Sequence, residues 1–140
     1  MLIVEDSKRM SDVLSKGLRE EGFVVDTEAD GGRGLAKALE GEYDLVLLDI
    51  MMPKLSGFEV CKRLKSDPET ADIMVLMVTA LDQPGDIDRA VDAKTDDFLT
   101  KPINKTELLI RVKSALSSRQ EKDQINRALS YIQGVQGHIS

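Results

Sequence analysis

The sequence predicts an α/β fold: a five-stranded parallel sheet in the order 2-1-3-4-5, with helices on both faces. Three observations carry this. Short apolar runs alternate with helix-period segments five times along the chain, the signature of a sheet revisited after each helix. Leu45–Leu48 and Ile73–Val78 are apolar without alternation, as interior strands buried on both faces are. Polar residues follow four of the runs at once: Glu5 and Asp6, Asp49, Thr79, and Lys101. Right-handed crossovers leave few topologies, and this strand order suits a chain of 140 residues.

Each element has its own local reason. Leu2–Val4 is a short strand. Ser7 is a good N-cap for a helix running to about Glu21, with Met10, Val13, Leu14 and Leu18 at helical spacing and Gly22 at its end. Phe23–Ala29 reads as the second strand, and Asp30 caps a helix over Gly31–Glu40 that Gly41 closes. After Asp49, Pro53 and Gly57 punctuate a loop. A helix over Phe58–Ser66 turns Val60, Cys61 and Leu64 inward, and Ser66-Asp67-Pro68 marks a turn. The fourth strand ends at Thr79, a loop covers 80–85, and a short helix reaches Ala93. Asp97–Thr100 is the fifth strand, and Asn104 caps a last helix from Lys105.

Composition narrows the function. Hydrophobic residues make up 41% of the chain, enough for a core, and the net charge of −6 argues against a nucleic-acid surface on this domain. Cys61 is the only cysteine, so no internal disulfide forms, which fits a reducing, cytoplasmic setting. No run approaches membrane-span length. A strand beginning at the second residue suggests a stretch cut from a longer chain.

In a parallel sheet the strand ends share one edge, so Glu5, Asp6, Asp49, Thr79 and Lys101 converge on one cleft. Three clustered carboxylates repel one another unless a cation lies between them, and oxygen ligands of this kind suit Mg²⁺. Lys101 and Thr79 supply donors for an anion with several oxygens, such as a phosphoryl group. Asp49 then reads as the nucleophile that accepts it as an acyl phosphate.

The stretches LIVEDS, LVLLDIMMPKLSG, MVLMVTA and DDFLTKP together resemble the receiver (phosphoacceptor) domain of bacterial two-component response regulators, a flavodoxin-like (CheY-like) fold. The resemblance covers Leu2 to about Leu116. It implies phosphorylation of Asp49 by a sensor histidine kinase, a phosphotransfer protein or a small phosphodonor. It implies Mg²⁺ ligation by Asp6, Asp49 and the Met51 backbone carbonyl, with Glu5 assisting. Thr79 and Lys101 would hold phosphoryl oxygens, Phe98 would be the aromatic switch beside Thr79, and the Lys101–Pro102 peptide would be cis. The switched surface would be the fourth helix, fifth strand and fifth helix. The chain departs from the family pattern at Lys94-Thr95, where Gly-Ala is usual, and at Met74, where proline is common. Met51 and Leu81 stand where the family varies its dephosphorylation rate; both are apolar and would screen an acyl phosphate from water.

Two other readings use the same residues. A haloacid-dehalogenase-like phosphohydrolase also employs Asp, Mg²⁺, Thr and Lys, but Met51 stands where that family carries a second acid. A pseudo-receiver acting only by interaction would not need the intact set of five. Asp86, Asp88 and Asp92 read as an exposed helix face, and His138 as solvated tail.

The boundaries follow from pattern: residues 1–118 form the receiver and 119–140 a helical extension toward a further domain. Leu108, Leu109, Val112, Ala115 and Leu116 give the last helix a buried face; Ser117–Gln124 is polar all round; Ile125, Leu129 and Ile132 restore an apolar stripe. Uninterrupted from Lys105 to Gln133 at ~1.5 Å per residue, such a helix exceeds roughly 40 Å and protrudes, before Gly134 and Gly137 end it. The stripe suits a two-stranded coiled coil or a connector, so homodimers through this helix or through the switched face are expected. ALDQP, DFLTKPI and the long tail look most like receivers preceding a signalling output such as a diguanylate cyclase or a hybrid kinase.

Overall fold

The computed structural model describes residues 1–80 and 85–139. Its elements are β1 (Leu2–Val4), α1 (Lys8–Glu20), β2 (Asp26–Glu28), α2 (Gly31–Glu40), β3 (Leu45–Asp49), α3 (Gly57–Ser66), β4 (Met74–Thr79), α4 (Asp86–Asp92), β5 (Asp97–Thr100) and α5 (Lys105–Ile139). The strands form one parallel sheet in the order β2-β1-β3-β4-β5, as the alternation predicts.

Successive strand residues point to opposite faces and so build two cores. Leu2, Val4, Val46, Leu48, Val75 and Met77 pack against Phe58, Val60, Cys61 and Leu64 of α3 and Leu35 and Ala38 of α2. Ile3, Leu45, Leu47, Leu76, Val78 and Leu99 pack against Leu14 and Leu18 of α1 and Leu108, Val112 and Ala115 of α5. β3 and β4 are buried along their whole length, which is why they carry no polar alternation.

The caps are local chemistry. Ser7 Oγ accepts from the Met10 N–H, Asp30 Oδ1 from Arg33 and Asn104 Oδ1 from Thr106 and Glu107. Gly22, at φ 90°, lets Phe23 donate back to the Leu18 carbonyl and closes α1. Gly41 closes α2 differently, in an extended conformation at φ −101°.

Three expectations need correction. β2 is Asp26–Glu28, shorter than Phe23–Ala29, because its only partner β1 offers three residues and Phe23 is spent on the end of α1. Gly57 opens α3 and does not end a loop. Ser56 is the N-cap and accepts from Glu59, and its S-x-x-E spacing was the sequence signal. Gly134 and Gly137 do not end α5, which continues to Ile139: a helical glycine costs only about 1 kcal/mol relative to alanine and need not stop a helix.

Lys94 has φ 62°, the left-handed conformation that its place in the usual Gly-Ala pair requires, at roughly 1–2 kcal/mol. Its surroundings hold it there. Cys61 Sγ donates to the Ala93 carbonyl at 3.1 Å, and the single Thr95 hydroxyl proton is shared between the Asp97 and Val75 carbonyls, 2.9 and 3.1 Å from Oγ1. Lys65 pairs with Asp96 at 2.7 Å, while Asp96 accepts the Val75 N–H. Leu81 lies outside the described residues, as do the side chains of Asp86, Ile132 and His138; Asp88 and Asp92 are exposed. Among the described residues no helix is long and apolar enough to cross a membrane.

Gly57 sits where a Cβ would run into the Asp49 carbonyl oxygen and come within 2.8 Å of the Ile50 Cα, both backbone atoms that cannot step aside cheaply. Gly57→Ala is expected to destabilise the fold by about 1–3 kcal/mol in urea unfolding, the usual cost of overpacking.

Candidate functional site

The site lies at the C-terminal edge of the sheet, where open α/β folds place ligands. Parallel register does the positioning. Val4 is opposite Leu48, so the residues after β1 stand beside Asp49 at the end of β3. Thr79 is opposite Thr100, and the Lys101 N–H donates to the Thr79 carbonyl at 2.8 Å. The expected residues from four strands therefore meet on one rim.

Glu5, Asp6 and Asp49 each bring a carboxylate oxygen within 4.8 Å of the others. Their exposures differ. Asp49 is 2% exposed and Glu5 3%, whereas Asp6 faces solvent. Asp49 Oδ1 accepts from Lys101 Nζ and from the Met51 N–H, both at 3.3 Å. Glu5 Oε1 accepts the Ser7 N–H at 3.3 Å, but its buried Oε2 has no hydrogen-bond partner. Burial, first, and then the charge of Asp49 push the Glu5 carboxyl up to about 7; Lys101 and the Ser7 N–H pull the other way.

A buried carboxylate oxygen without a donor is costly, and two further carboxylates beside it make a donor set suited to a hard divalent cation. The residues present thus fit Mg²⁺, with Lys101 in contact with Asp49.

Thr79 is buried at the end of β4, and the Lys101–Pro102 peptide is cis. Phe98 is partly buried against the core cluster of α3. Met51 is 72% exposed and lies outside the core, whereas Met52 is buried. The site also uses groups that the sequence does not advertise. The Ser7 and Met51 contributions are backbone N–H groups, which no residue type reveals. Arg89 stacks over Phe58 at 4.3 Å beside the β3–α3 loop, a pairing between distant segments.

The model of the response regulator receiver domain matches residues 1–113. The DNA-binding dual master transcriptional regulator RpaA of a Synechocystis strain is 45% identical over 83% of this chain, but only 48% of that protein is covered. The chain spans about half the length of the curated relatives it matches. A CheY-like receiver domain protein from Methanospirillum hungatei superposes with a TM-score of 0.81 at 28% identity, over 86% of this chain and 95% of that one. The receiver domain of sensor histidine kinase PA1611 from Pseudomonas aeruginosa, solved with a magnesium ion in its active-site cleft, gives 0.77 at 27% identity, covering 83% and 95%. Sequence, sheet order and the composition of the rim agree, and the chain belongs to the response regulator receiver domain family.

Proposed function

We propose that Asp49 is the phosphoacceptor of a two-component signalling pathway. The observation that carries this is a nearly fully buried Asp49 carboxylate that contacts Lys101 and lies within 4.8 Å of the Glu5 and Asp6 carboxylates. The donor would be the phosphohistidine of a sensor histidine kinase or phosphotransfer protein, or a small phosphodonor. An Asp49 oxygen forms the new O–P bond as the P–N bond of the phosphohistidine breaks, and the imidazole leaves with that electron pair. Glu5, Asp6, Asp49 and the Met51 carbonyl would hold Mg²⁺, which supplies charge neutralisation for the transferring phosphoryl oxygens. Lys101 Nζ, already on Asp49, is placed to follow the phosphoryl oxygens, and the Thr79 hydroxyl at the next strand end is placed to donate to another. Burial keeps bulk water off the acyl phosphate, with the exposed Met51 thioether covering the approach. The chain is thus a phosphoacceptor, with only self-directed transfer and dephosphorylation as chemistry.

Movement of Thr79 toward the phosphoryl group would draw Phe98 inward and alter the face of α4, β5 and α5. Val91 and Ile110 are 68% and 62% exposed on these elements, which supports that face as a homodimer surface; Ile125 and Leu129, 58% and 51% exposed, support α5 as another. Residues 1–118 would be the receiver and 119–140 the arm to an output domain in a cytoplasmic regulator. A diguanylate cyclase or hybrid kinase fits the tail, and the name of the Synechocystis relative supports a DNA-binding transcriptional output equally; the net charge of −6 argues against a nucleic-acid surface on the receiver itself.

Incubation with acetyl phosphate and Mg²⁺ is expected to add one phosphate to the intact mass. Asp49→Asn and chelation of the metal should each abolish the adduct, and Lys101→Ala should slow its formation. An adduct that survives in Asp49→Asn would place the chemistry elsewhere.

Glu5 must lose its proton to serve as a ligand, so Mg²⁺ affinity should weaken as pH falls through about 7. The metal-free protein responds oppositely. A folded-state value raised above the unfolded 4.5 means that Glu5 penalises the fold fully above about 7, and the penalty is relieved as pH falls from there toward 4.5. Denaturant titrations should therefore show wild type gaining more stability than Glu5→Gln between pH 8 and pH 5.5. Equal gains would show that Glu5 ionises normally.

A further inference from the structure

α5 runs against the strands. It begins beside the phosphoacceptor rim and leaves the domain at the opposite edge of the sheet. Arg119 stands at that exit. Its Nη1 donates to the Asp72 carbonyl at 2.9 Å and lies 3.5 Å from the Tyr43 and Asp44 carbonyls; its Nε pairs with Asp44 Oδ1 at 3.3 Å. Its side chain is 23% exposed, whereas every described α5 residue beyond it faces solvent. The carbonyls come from two separate loops, the α2–β3 connection and the α3–β4 connection. Asp44 directly precedes β3, and Asp72 stands two residues before β4.

An α-helix that passes the edge of a sheet can leave in a range of directions unless something fixes it. Packing of Leu108, Val112 and Ala115 fixes the helix within the domain, but this apolar face ends at Leu116, three residues before Arg119. A guanidinium offers five donors in a rigid fork, so one side chain can hold several carbonyls in a single geometry where an ammonium holds a point.

We infer that Arg119 is the positioning residue of the C-terminal arm: it locks residues 119–139 of α5 to the loops that begin β3 and β4, so that arm and sheet move as one body. The arm is then referenced directly to the two strands whose far ends carry Asp49 and Thr79, in addition to the hold that Arg111 gives the helix on β5. This holds whether or not Asp49 accepts a phosphoryl group, and its test is independent of that chemistry.

The test is a spin-label distance measurement on the full chain, with labels at E69C on the α3–β4 loop and A128C on the arm, both exposed sites. Cys61 is buried with its thiol pushed up to about 12, so it does not compete for label. Excess unlabelled protein removes distances between copies. Wild type should give one narrow distance. Arg119→Ala should lose that single peak and give a broad distribution, with the melting midpoint of the receiver and its phosphate uptake unchanged. Arg119→Lys keeps the charge and the stem but not the fork, and it should also broaden. A narrow, unshifted peak in either folded variant would overturn the inference, and so would a wild-type distribution already broad.

Discussion

The structure depends on one electrostatic constraint: carboxylates from two adjacent strands are forced together at a buried edge, with a single ammonium to balance them. Parallel pairing of β1 and β3 makes this unavoidable, because the residue after Val4 must stand beside the residue after Leu48. Glu5 and Asp49 are both almost fully buried, and the Lys101 ammonium contacts the Asp49 carboxylate directly. Without a metal ion the least costly answer is to leave a proton on Glu5, which is what its elevated pKa means. The two hydrophobic cores matter to function through this burial. They seal both faces of β3 and so set the polarity around its last residue.

Much of this was legible before any coordinates. Asp49, Thr79 and Lys101 could be placed because they end unambiguous apolar strands, and parallel topology fixes the rest. What could not be read is depth. Glu5 and Asp6 are adjacent acids after one strand, and alternation sends them to opposite environments, one buried and one exposed. Sequence does not say which points inward when the strand is only three residues long. The length of β2 failed for a related reason: an edge strand pairs no further than its one neighbour extends, and β1 is brief. Gly134 and Gly137 misled because a glycine lowers helix propensity without dictating an end, and no proline or capping pattern follows them.

Lys94 shows how a fold accommodates a residue that local preference disfavours. The left-handed turn before β5 is needed whatever occupies it, since Asp96 must bond to Val75 to start the β4–β5 ladder. Here the strain at a lysine is offset by contacts around it, of which those of the Thr95 hydroxyl are ones a Gly-Ala pair could not make. Thr95 bridges two carbonyls, and the largely buried Lys65–Asp96 pair ties this turn to α3 and to the Ile73 carbonyl at 2.7 Å. Breaking one partner of such a pair leaves the other buried and unmatched, so the segment is over-determined in the sense that strained backbone requires. The C-terminal end of α4 is therefore anchored, with Cys61 on the Ala93 carbonyl and Lys65 on Asp96.

The ion pairs along α5 serve orientation more than stability. Lys105–Glu20 at 2.9 Å, the two-oxygen contact of Arg111 with Asp97 at 3.0 and 3.1 Å, and Arg119 at the far edge sit at the start, middle and exit of the domain-bound part. Exposed pairs of this kind contribute about 0–1 kcal/mol each, far less than the burial of Leu108, Val112 and Ala115. Apolar packing alone tolerates a helix that slides or rolls by a few degrees. Charged contacts at three heights do not, because each has its partner on a different element: α1, β5 and the loops before β3 and β4. A helix held in this way keeps one orientation on the sheet along its domain-bound length, since a slide or a roll would strain contacts on three different elements at once.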